Sequence, residues 1–314
     1  MQRIELKKDK SIMALRKKYN YFKQGQFDKA KELLEEELKI DQGNTELSSA
    51  LNCALFWQER KEKMRGMDCY AMSNYLMNQW EEFLNFINKI GRVSEKCLYS
   101  IKHYVYNTAL ANYSGLYEAS GIIGTEILFQ MGKLYKGIGN YEKAVQTFEL
   151  SNQQKHNDPK ILAELADCYA QIDEIRASKL FFREAFFIDP LIIDIENLEA
   201  VFIQKLIQRI VKLGICATDI KQWIPVYGTI WGVFNVKREL KPLEIAKLKQ
   251  SINNLEKKIQ DKHKDIDKII PYLLNKYFWL IDHLINTGAP KSVVDELFIK
   301  IKKIDEKIYR ECAN

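Results

Sequence analysis

The histidines and cysteines are the side chains in this sequence best suited to bind a metal or to act as nucleophiles. Two histidines four residues apart on a helix, or two cysteines separated by two residues, would favour a zinc site. Neither spacing occurs among the four histidines and six cysteines. The sequence therefore predicts no metal site. The residues are His103, His156, His263, His283, Cys53, Cys69, Cys97, Cys168, Cys216 and Cys312.

Other signatures of chemistry are equally weak. Gly137-Ile-Gly139 resembles part of a phosphate-binding loop, but no Gly-Lys-Ser/Thr follows it and no strand pattern precedes it. The Gly-x-Ser-x-Gly motif of serine hydrolases is absent, and no spacing pairs a cysteine with a histidine. We therefore expect no catalytic residue, no enzyme activity and no cofactor.

The cellular compartment can be inferred only indirectly. The scattered cysteines lie mostly in apolar helical surroundings, which favours reduced thiols rather than disulfides. No run approaches the roughly 18 apolar residues of a membrane span. The first ten residues lack the apolar core of a signal peptide. We therefore expect a cytoplasmic protein.

The charge is unevenly distributed along the chain. The net charge is +6 overall, with +5 in residues 1–18, −4 in residues 19–236 and +6 in residues 237–310. Basic ends can favour an anionic partner. The lysines near both ends nevertheless alternate with acidic residues at helical spacing, as in Lys302-Lys303-Ile304-Asp305-Glu306, which is typical of a solvated helix face. A nucleic-acid partner is therefore not expected, and an RNA-associated role remains an alternative.

A period of 34 residues organises the middle of the chain, in two copies that begin at Thr125 and Pro159. Small residues recur where two helices would cross, and aromatic residues recur where the next helix pair would pack. Gly139 suits a tight turn between helices, and Asp189-Pro190 suits the end of a repeat. The positions in the two copies are Gly132, Tyr135, Gly139, Tyr141, Ala144, Phe148, Leu162, Leu165, Ala166, Tyr169, Ser178, Phe182, Ala185 and Pro190.

This pattern resembles the tetratricopeptide repeat, a pair of antiparallel helices that stacks into a right-handed superhelix. A weaker copy at 11–44 has Tyr21, Gly25 and Phe27 in the expected places. It departs from the pattern at Lys17 and Lys18, which suits a terminal repeat whose outer face meets water. The resemblance implies an all-α solenoid that binds other proteins and rarely carries chemistry.

The predicted organisation has three parts. A solenoid covers 1–214, with its best repeats at 125–158 and 159–192 and a capping helix at 193–214. An extended apolar linker at 215–241 follows, because this stretch is β-branched, aromatic and interrupted by proline and glycine. A C-terminal unit of three helices covers 242–314.

The linker carries four aromatic side chains that must be buried somewhere: Trp223, Tyr227, Trp231 and Phe234. They could pack on their own solenoid, on a second copy of the chain or another partner, or at a membrane interface. The last is the weakest alternative, because no suitable amphipathic helix flanks them. A homo-oligomer assembled through 223–314 is therefore one of the possibilities.

The resemblance also places a concave binding groove. Phe129 could anchor an apolar side chain of a partner, and Lys133 with Lys136 could meet an acidic group. The lysine and asparagine set with which some members of the family clamp a terminal carboxylate is not reproduced, since Phe129 and Asp167 replace the needed types. The predicted groove residues are Glu126, Phe129, Lys133, Lys136, Lys160, Ala163, Asp167 and Ala170.

The sequence thus predicts a non-catalytic scaffold or adaptor that captures a protein segment in its groove. The alternative is a structural protein that assembles with itself through residues 223–314. The identity of the partner cannot be read from these residues, because one fold serves many roles.

Overall fold

The structure is a computed structural model that describes residues 17–120, 124–261 and 266–313. Within these ranges every regular element is a helix. The predicted all-α fold class, with consecutive helices packed on one another, is confirmed. The chain divides into two compact units, called unit 1 (described residues up to Asn140) and unit 2 (from Tyr141 onward), which are described separately.

Unit 1 contains two closely packed helix pairs, α2 with α3 and α4 with α5. The N-cap side chains of Asn44 and Asp68 accept hydrogen bonds from Leu47 N and Ala71 N, which fixes where α3 and α4 begin. The helices of unit 1 are α1 (described over 17–23), α2 (Phe27–Ile40), α3 (Thr45–Lys63), α4 (Cys69–Ile90), α5 (Glu95–Ser120) and α6 (Thr125–Gly137).

An aromatic cluster forms the centre of unit 1. The ring of Phe27 lies 6.3 Å from that of Trp57 and 5.2 Å from that of Tyr104. Gly25 makes the turn between α1 and α2 with a φ of +64°, and a Cβ there would lie 2.1 Å from the Tyr104 ring. The turn therefore requires glycine both for its backbone angle and for the space beside it.

The weak N-terminal repeat is only partly within the described residues, since 11–16 lie outside them. Phe27 and its neighbours Ala30 and Leu34 are buried, as expected for the inner face of a hairpin. Lys17 is exposed. The expectation that Lys18 also meets water is wrong, because its side chain is only 1% exposed.

Unit 2 begins with α7, which packs on the tight hairpin of α8 and α9. In that hairpin the small residues Ala166 and Ser178 are buried together with Phe182, as the 34-residue pattern predicts. The helices of unit 2 are α7 (Tyr141–Gln154), α8 (Pro159–Gln171), α9 (Ile175–Ile188), α10 (Val201–Val211), α11 (Ile220–Ile230), α12 (Pro242–Gln260), α13 (Ile266–Asn286), α14 (Lys291–Ile304) and α15 (Glu306–Ala313).

Helix α10 follows the second repeat and packs on it, within the span 193–214 predicted for a capping helix, and that capping role stays a prediction. Its apolar side chains Ile203, Leu206 and Ile210 are buried, and the rings of Phe202 and Phe182 meet edge to face at 5.8 Å. The predicted domain boundaries at 214 and 241 stay predictions.

The predicted extended conformation is wrong for the middle of the 215–241 segment, where α11 is a regular helix. Its Pro225 and Gly228 are poor helix formers. Packing of α11 on α10 and α13 buries Ile224 and Val226 completely, and this burial outweighs the local preference. The rest of the segment is not helical: 215–219 and 231–234 form turns and irregular chain, and 235–241 has no regular structure.

The C-terminal unit differs from the prediction in its number of helices. Its described residues form four helices where three were expected, because Asp305 adopts an extended conformation between α14 and α15. The Asp305 carboxylate accepts a hydrogen bond from Ile308 N at 3.0 Å, which starts the new helix. Pro271 lies inside α13.

Candidate binding surface

Helix α6 places four predicted groove residues in unit 1. Its apolar side chains Leu128, Met131 and Leu134 are buried against the rest of unit 1. The turn that ends it is closed by hydrogen bonds from Gly139 N to Lys136 O and from Asn140 N to Tyr135 O, both 2.9 Å long. The side of α6 that faces away from these buried residues is therefore held in a fixed orientation.

The outer side of α6 presents an aromatic ring between two opposite charges. Glu126 and Lys133 are exposed, and Phe129 is partly exposed. Glu126 accepts a hydrogen bond from Gln130 Nε2 at 3.0 Å. Lys136 is only 6% exposed, so its ammonium group is not presented to solvent as that of Lys133 is. We call Glu126, Phe129 and Lys133 the α6 face.

Helix α8 places the other four residues in unit 2, and here the geometry differs from the prediction. Lys160 is exposed and Ala170 is partly exposed. Ala163 is 2% exposed and Asp167 is 0% exposed, so neither lies on an open surface of unit 2. The partner contacts predicted for these four α8 residues stay a prediction.

The burial of Asp167 has a clear cause in the chain that follows the repeat. Its carboxylate accepts hydrogen bonds from Glu199 N at 2.9 Å and from Ala200 N at 2.7 Å. Ala200 is the residue before α10. The chain leading into α10 thus crosses α8 at the position that the repeat pattern assigns to the groove.

The start of α8 is fixed by a second carboxylate. Asp158 Oδ1 accepts hydrogen bonds from Lys160 N at 2.9 Å and Ile161 N at 3.4 Å, and Asp158 also pairs with Lys155 at 2.7 Å. Burial alone would raise the pKa of Asp158, but these hydrogen bonds outweigh it and the pKa is lowered. The N-cap orients Lys160 at the beginning of the helix.

The four linker aromatics pack against one another and on the core of unit 2. Phe234 is 2% exposed and its ring lies 6.0 Å from that of Phe186 on α9. The rings of Tyr227 and Trp231 are 4.6 Å apart, and those of Trp223 and Tyr227 are 5.6 Å apart. The role of these residues in an oligomer remains a prediction.

Polar contacts hold Trp231 in place, and burial raises the pKa of its neighbour Tyr227. The indole Nε1 of Trp231 donates to Glu311 at 3.1 Å, and the guanidinium of Arg209 lies 3.8 Å from the Trp231 ring. Burial, together with the nearby charges of Glu311 and Asp305, raises the pKa of Tyr227 to about 12. The hydroxyl of Tyr227 is therefore neutral at physiological pH.

An ionic network that the sequence does not reveal links α9 to the C-terminal helices. Arg183 is 3% exposed; it pairs with Asp282 on α13, and its guanidinium lies 4.5 Å from the Trp279 ring. Arg238 pairs with Glu184 on α9 and, at 2.8 Å, with Glu244 on α12. Hydrogen bonding to Arg238 is the main reason that the pKa of Glu244 is lowered.

Two further kinds of site were expected to be absent, a metal centre and a membrane span, and the findings below concern the described residues alone. Nowhere among them do three histidine, cysteine or acidic side chains lie close enough together to hold a metal ion. None of the helices that the structure describes has both the length and the apolar character needed to cross a membrane.

One segment of the chain is similar to a known protein family. Residues 125–153 match the family described as Tetratricopeptide repeat. This segment contains α6, the turn at Gly139 and nearly all of α7, and it is the first of the two repeats that the 34-residue period predicts. No curated protein matches the chain.

Proposed function

We propose that this tetratricopeptide-repeat protein is a non-catalytic scaffold whose α6 face binds a segment of a partner protein. Proteins built from such repeats generally bind other proteins. The α6 face belongs to the segment that matches the family, and its three residues follow the i, i+3, i+7 spacing of one helix side.

The observation that carries the proposal is the partly exposed ring of Phe129 between the exposed side chains of Glu126 and Lys133. Aromatic anchors surrounded by polar groups contribute much of the energy of protein interfaces. The arrangement fits a partner segment that places an apolar side chain on Phe129 and an acidic side chain near Lys133.

Photo-crosslinking tests this proposal and identifies the partner. Benzoylphenylalanine at position 129 is expected to crosslink a protein in cell extract that the same group at Tyr70, an exposed site on α4, does not crosslink. Mass spectrometry then maps the bound segment, which can be made as a peptide. Crosslinking of the same proteins from both positions would contradict the proposal.

Self-assembly through residues 223–314 is the second candidate. Exposed apolar side chains support it, since Leu243 is 66%, Ile285 53% and Ile299 53% exposed. A chain that ends at Lys221 would be a poor test of self-assembly. It lacks most of α11, whose side chains are part of the unit 2 core. Light scattering of the full chain and of a Leu243→Glu, Ile285→Glu variant is better. A wild-type oligomer that this variant dissociates would favour self-assembly.

We also propose that the protein works in the reducing environment of the cytoplasm. All six cysteines are free thiols, and Cys53, Cys97 and Cys168 are buried. Localisation of a tagged full-length chain by microscopy tests this, and a secreted or organellar signal would contradict it.

A further inference from the structure

We propose that a cleft between α1 and α5 in unit 1 binds an acidic segment of a partner protein. The cleft includes no residue of the α6 face, so this proposal can hold or fail independently of the proposed function. The cleft has a volume of about 510 Å³, which is within the range of about 300–1,000 Å³ found for ligand sites. Its walls include Tyr19, Asn20 and Lys23 of α1 and Glu95, Lys96 and Tyr99 of α5.

One wall of the cleft is fixed by hydrogen bonds. The hydroxyl of Tyr19 donates to Glu46 Oε1 at 2.7 Å and shares a hydrogen bond of 2.9 Å with Ser94 Oγ. Burial is the main reason that the pKa of Tyr19 is raised, so this hydroxyl stays protonated. A preorganised wall lowers the entropy that binding costs.

The opposite wall presents an accessible aromatic ring. Tyr99 is 59% exposed, and Lys23 Nζ lies 4.9 Å from the centre of its ring. Tyrosine is enriched at protein interfaces because a rigid ring offers a large contact area together with a hydroxyl. The ring can pack against the chain of a bound peptide while the lysine beside it contacts a carboxylate.

The charge of the cleft favours an anionic ligand. Within the described part of the chain, neither Lys23 nor Lys96 forms an ion pair, so both ammonium groups can bind a carboxylate without breaking an existing pair. Glu95 is exposed in the first turn of α5, where its charge is favourable to the helix dipole. The lining itself, with Lys23, Lys96 and Glu95, is thus net positive, and the Glu46 carboxylate next to it is engaged by the Tyr19 hydroxyl.

A buried lysine, Lys18, lies next to Tyr19. Lys18 is 1% exposed, and among the described residues its ammonium has no hydrogen-bond partner. It lies 5.1 Å from the Tyr19 ring, and burial lowers its pKa even though the charge of Glu46 acts in the opposite direction. A buried amine without a partner is unfavourable. A carboxylate bound nearby reduces this cost, because charges interact strongly where water is excluded.

The same features select a peptide rather than a nucleic acid. Binding to a phosphate backbone uses a row of basic side chains along the strand. Here the lining holds only two lysines together with one glutamate, and Glu95 would repel a continuous line of phosphates. Separate carboxylates on a peptide can each meet one lysine and avoid Glu95.

Fluorescence anisotropy with the full chain tests the proposal. The probes are a labelled peptide of alternating Glu and Ser with one central Leu, and its analogue with Gln in place of Glu. We expect the Glu peptide to bind more tightly, and Lys23→Glu with Lys96→Glu to weaken its binding ~10-fold or more by removing two attractions and adding two repulsions. Tyr99→Ala is expected to weaken binding by a smaller factor.

The matched control carries the same charge change elsewhere. Lys257→Glu with Lys258→Glu replaces two exposed lysines of α12 in unit 2 and should leave the affinity unchanged. Equal loss in both double variants, or equal binding of the Glu and Gln peptides, would overturn the proposal. So would tighter binding of single-stranded polyadenylate that depends on Lys23 and Lys96. Circular dichroism of each variant verifies that the fold is intact.

Discussion

The carboxylate of Asp167 accepts a hydrogen bond from the backbone N–H of Ala200 at 2.7 Å, across 33 residues of chain. The same carboxylate accepts the N–H of Glu199. It is therefore a hydrogen-bond acceptor for backbone N–H groups at the start of α10, where a helix offers no acceptor of its own. A negative charge at a helix N-terminus is favourable. This contact attaches the helix that follows the repeat to the hairpin of α8 and α9.

Asp167→Ala is expected to lower the free energy of unfolding by about 2–4 kcal/mol, because it removes charge-assisted bonds and leaves the buried N–H of Ala200 and the part-buried N–H of Glu199 without this acceptor. Urea unfolding followed by circular dichroism measures the change. Asp295→Ala, at an exposed position on α14, should cost less than about 0.5 kcal/mol. Equal effects of the two substitutions would show that the Asp167 contact contributes little.

Gly228→Ala is expected to destabilise unit 2 by about 1–3 kcal/mol, since overpacking a buried site forces neighbouring side chains to move. The added Cβ would lie 2.4 Å from the Phe234 ring and 3.3 Å from Leu206. Gly115→Ala in α5 is the matched change, because nothing lies within 4 Å of its Cβ. It should stabilise by about 0.5–1 kcal/mol. Thermal unfolding should shift in opposite directions for the two variants.

Arg238→Ala is expected to lower stability by about 1–3 kcal/mol, because Glu184 and Glu244 lose a shared partner and Glu184 is largely buried. Arg310→Ala also removes an ion pair, but that pair with Glu306 is exposed on the surface of α15. Its loss should cost much less than the loss of Arg238, because water screens an exposed pair. Urea unfolding that shows the same cost for both variants would contradict this difference.

The pair of Arg238 and Glu244 also predicts a pH dependence. The pKa of Glu244 is lowered in the folded protein, so its contribution to stability is present above the ordinary glutamate pKa of about 4.3 and is lost as the pH falls through the lower, folded value. Glu244→Gln should remove this part of the acid destabilisation. Glu296→Gln, at an exposed site on α14, serves as the control. Thermal unfolding between neutral and acidic pH measures the difference between the two.

The repeats could be predicted from the sequence because their information is local and periodic. The small residues Gly132 and Ala166 are one period apart, as are Phe148 and Phe182, and the hairpin of α8 and α9 follows from that spacing. Helix α11 could not be predicted, since Pro225 and Gly228 disfavour a helix and only packing against α10 and α13 decides the outcome.

The candidate surfaces were predictable to different degrees. The α6 face follows from the repeat register alone. The burial of Asp167 depends on a chain segment 32 residues later, and the pair of Arg183 and Asp282 joins residues 99 positions apart. The α1–α5 cleft likewise brings together Tyr19 and Tyr99 from distant parts of the sequence. No local pattern reports such contacts.

The affinity of the crosslinked partner segment for the α6 face tests the central claim most directly. Isothermal titration with the mapped peptide would compare the wild-type chain with Phe129→Ala, Lys133→Glu and the control Lys29→Glu, which reverses an exposed charge on α2. We predict that Phe129→Ala and Lys133→Glu each weaken binding by ~10-fold or more, the range of interface anchors, while Lys29→Glu has no effect. Equal affinity of all four proteins would show that the partner binds elsewhere.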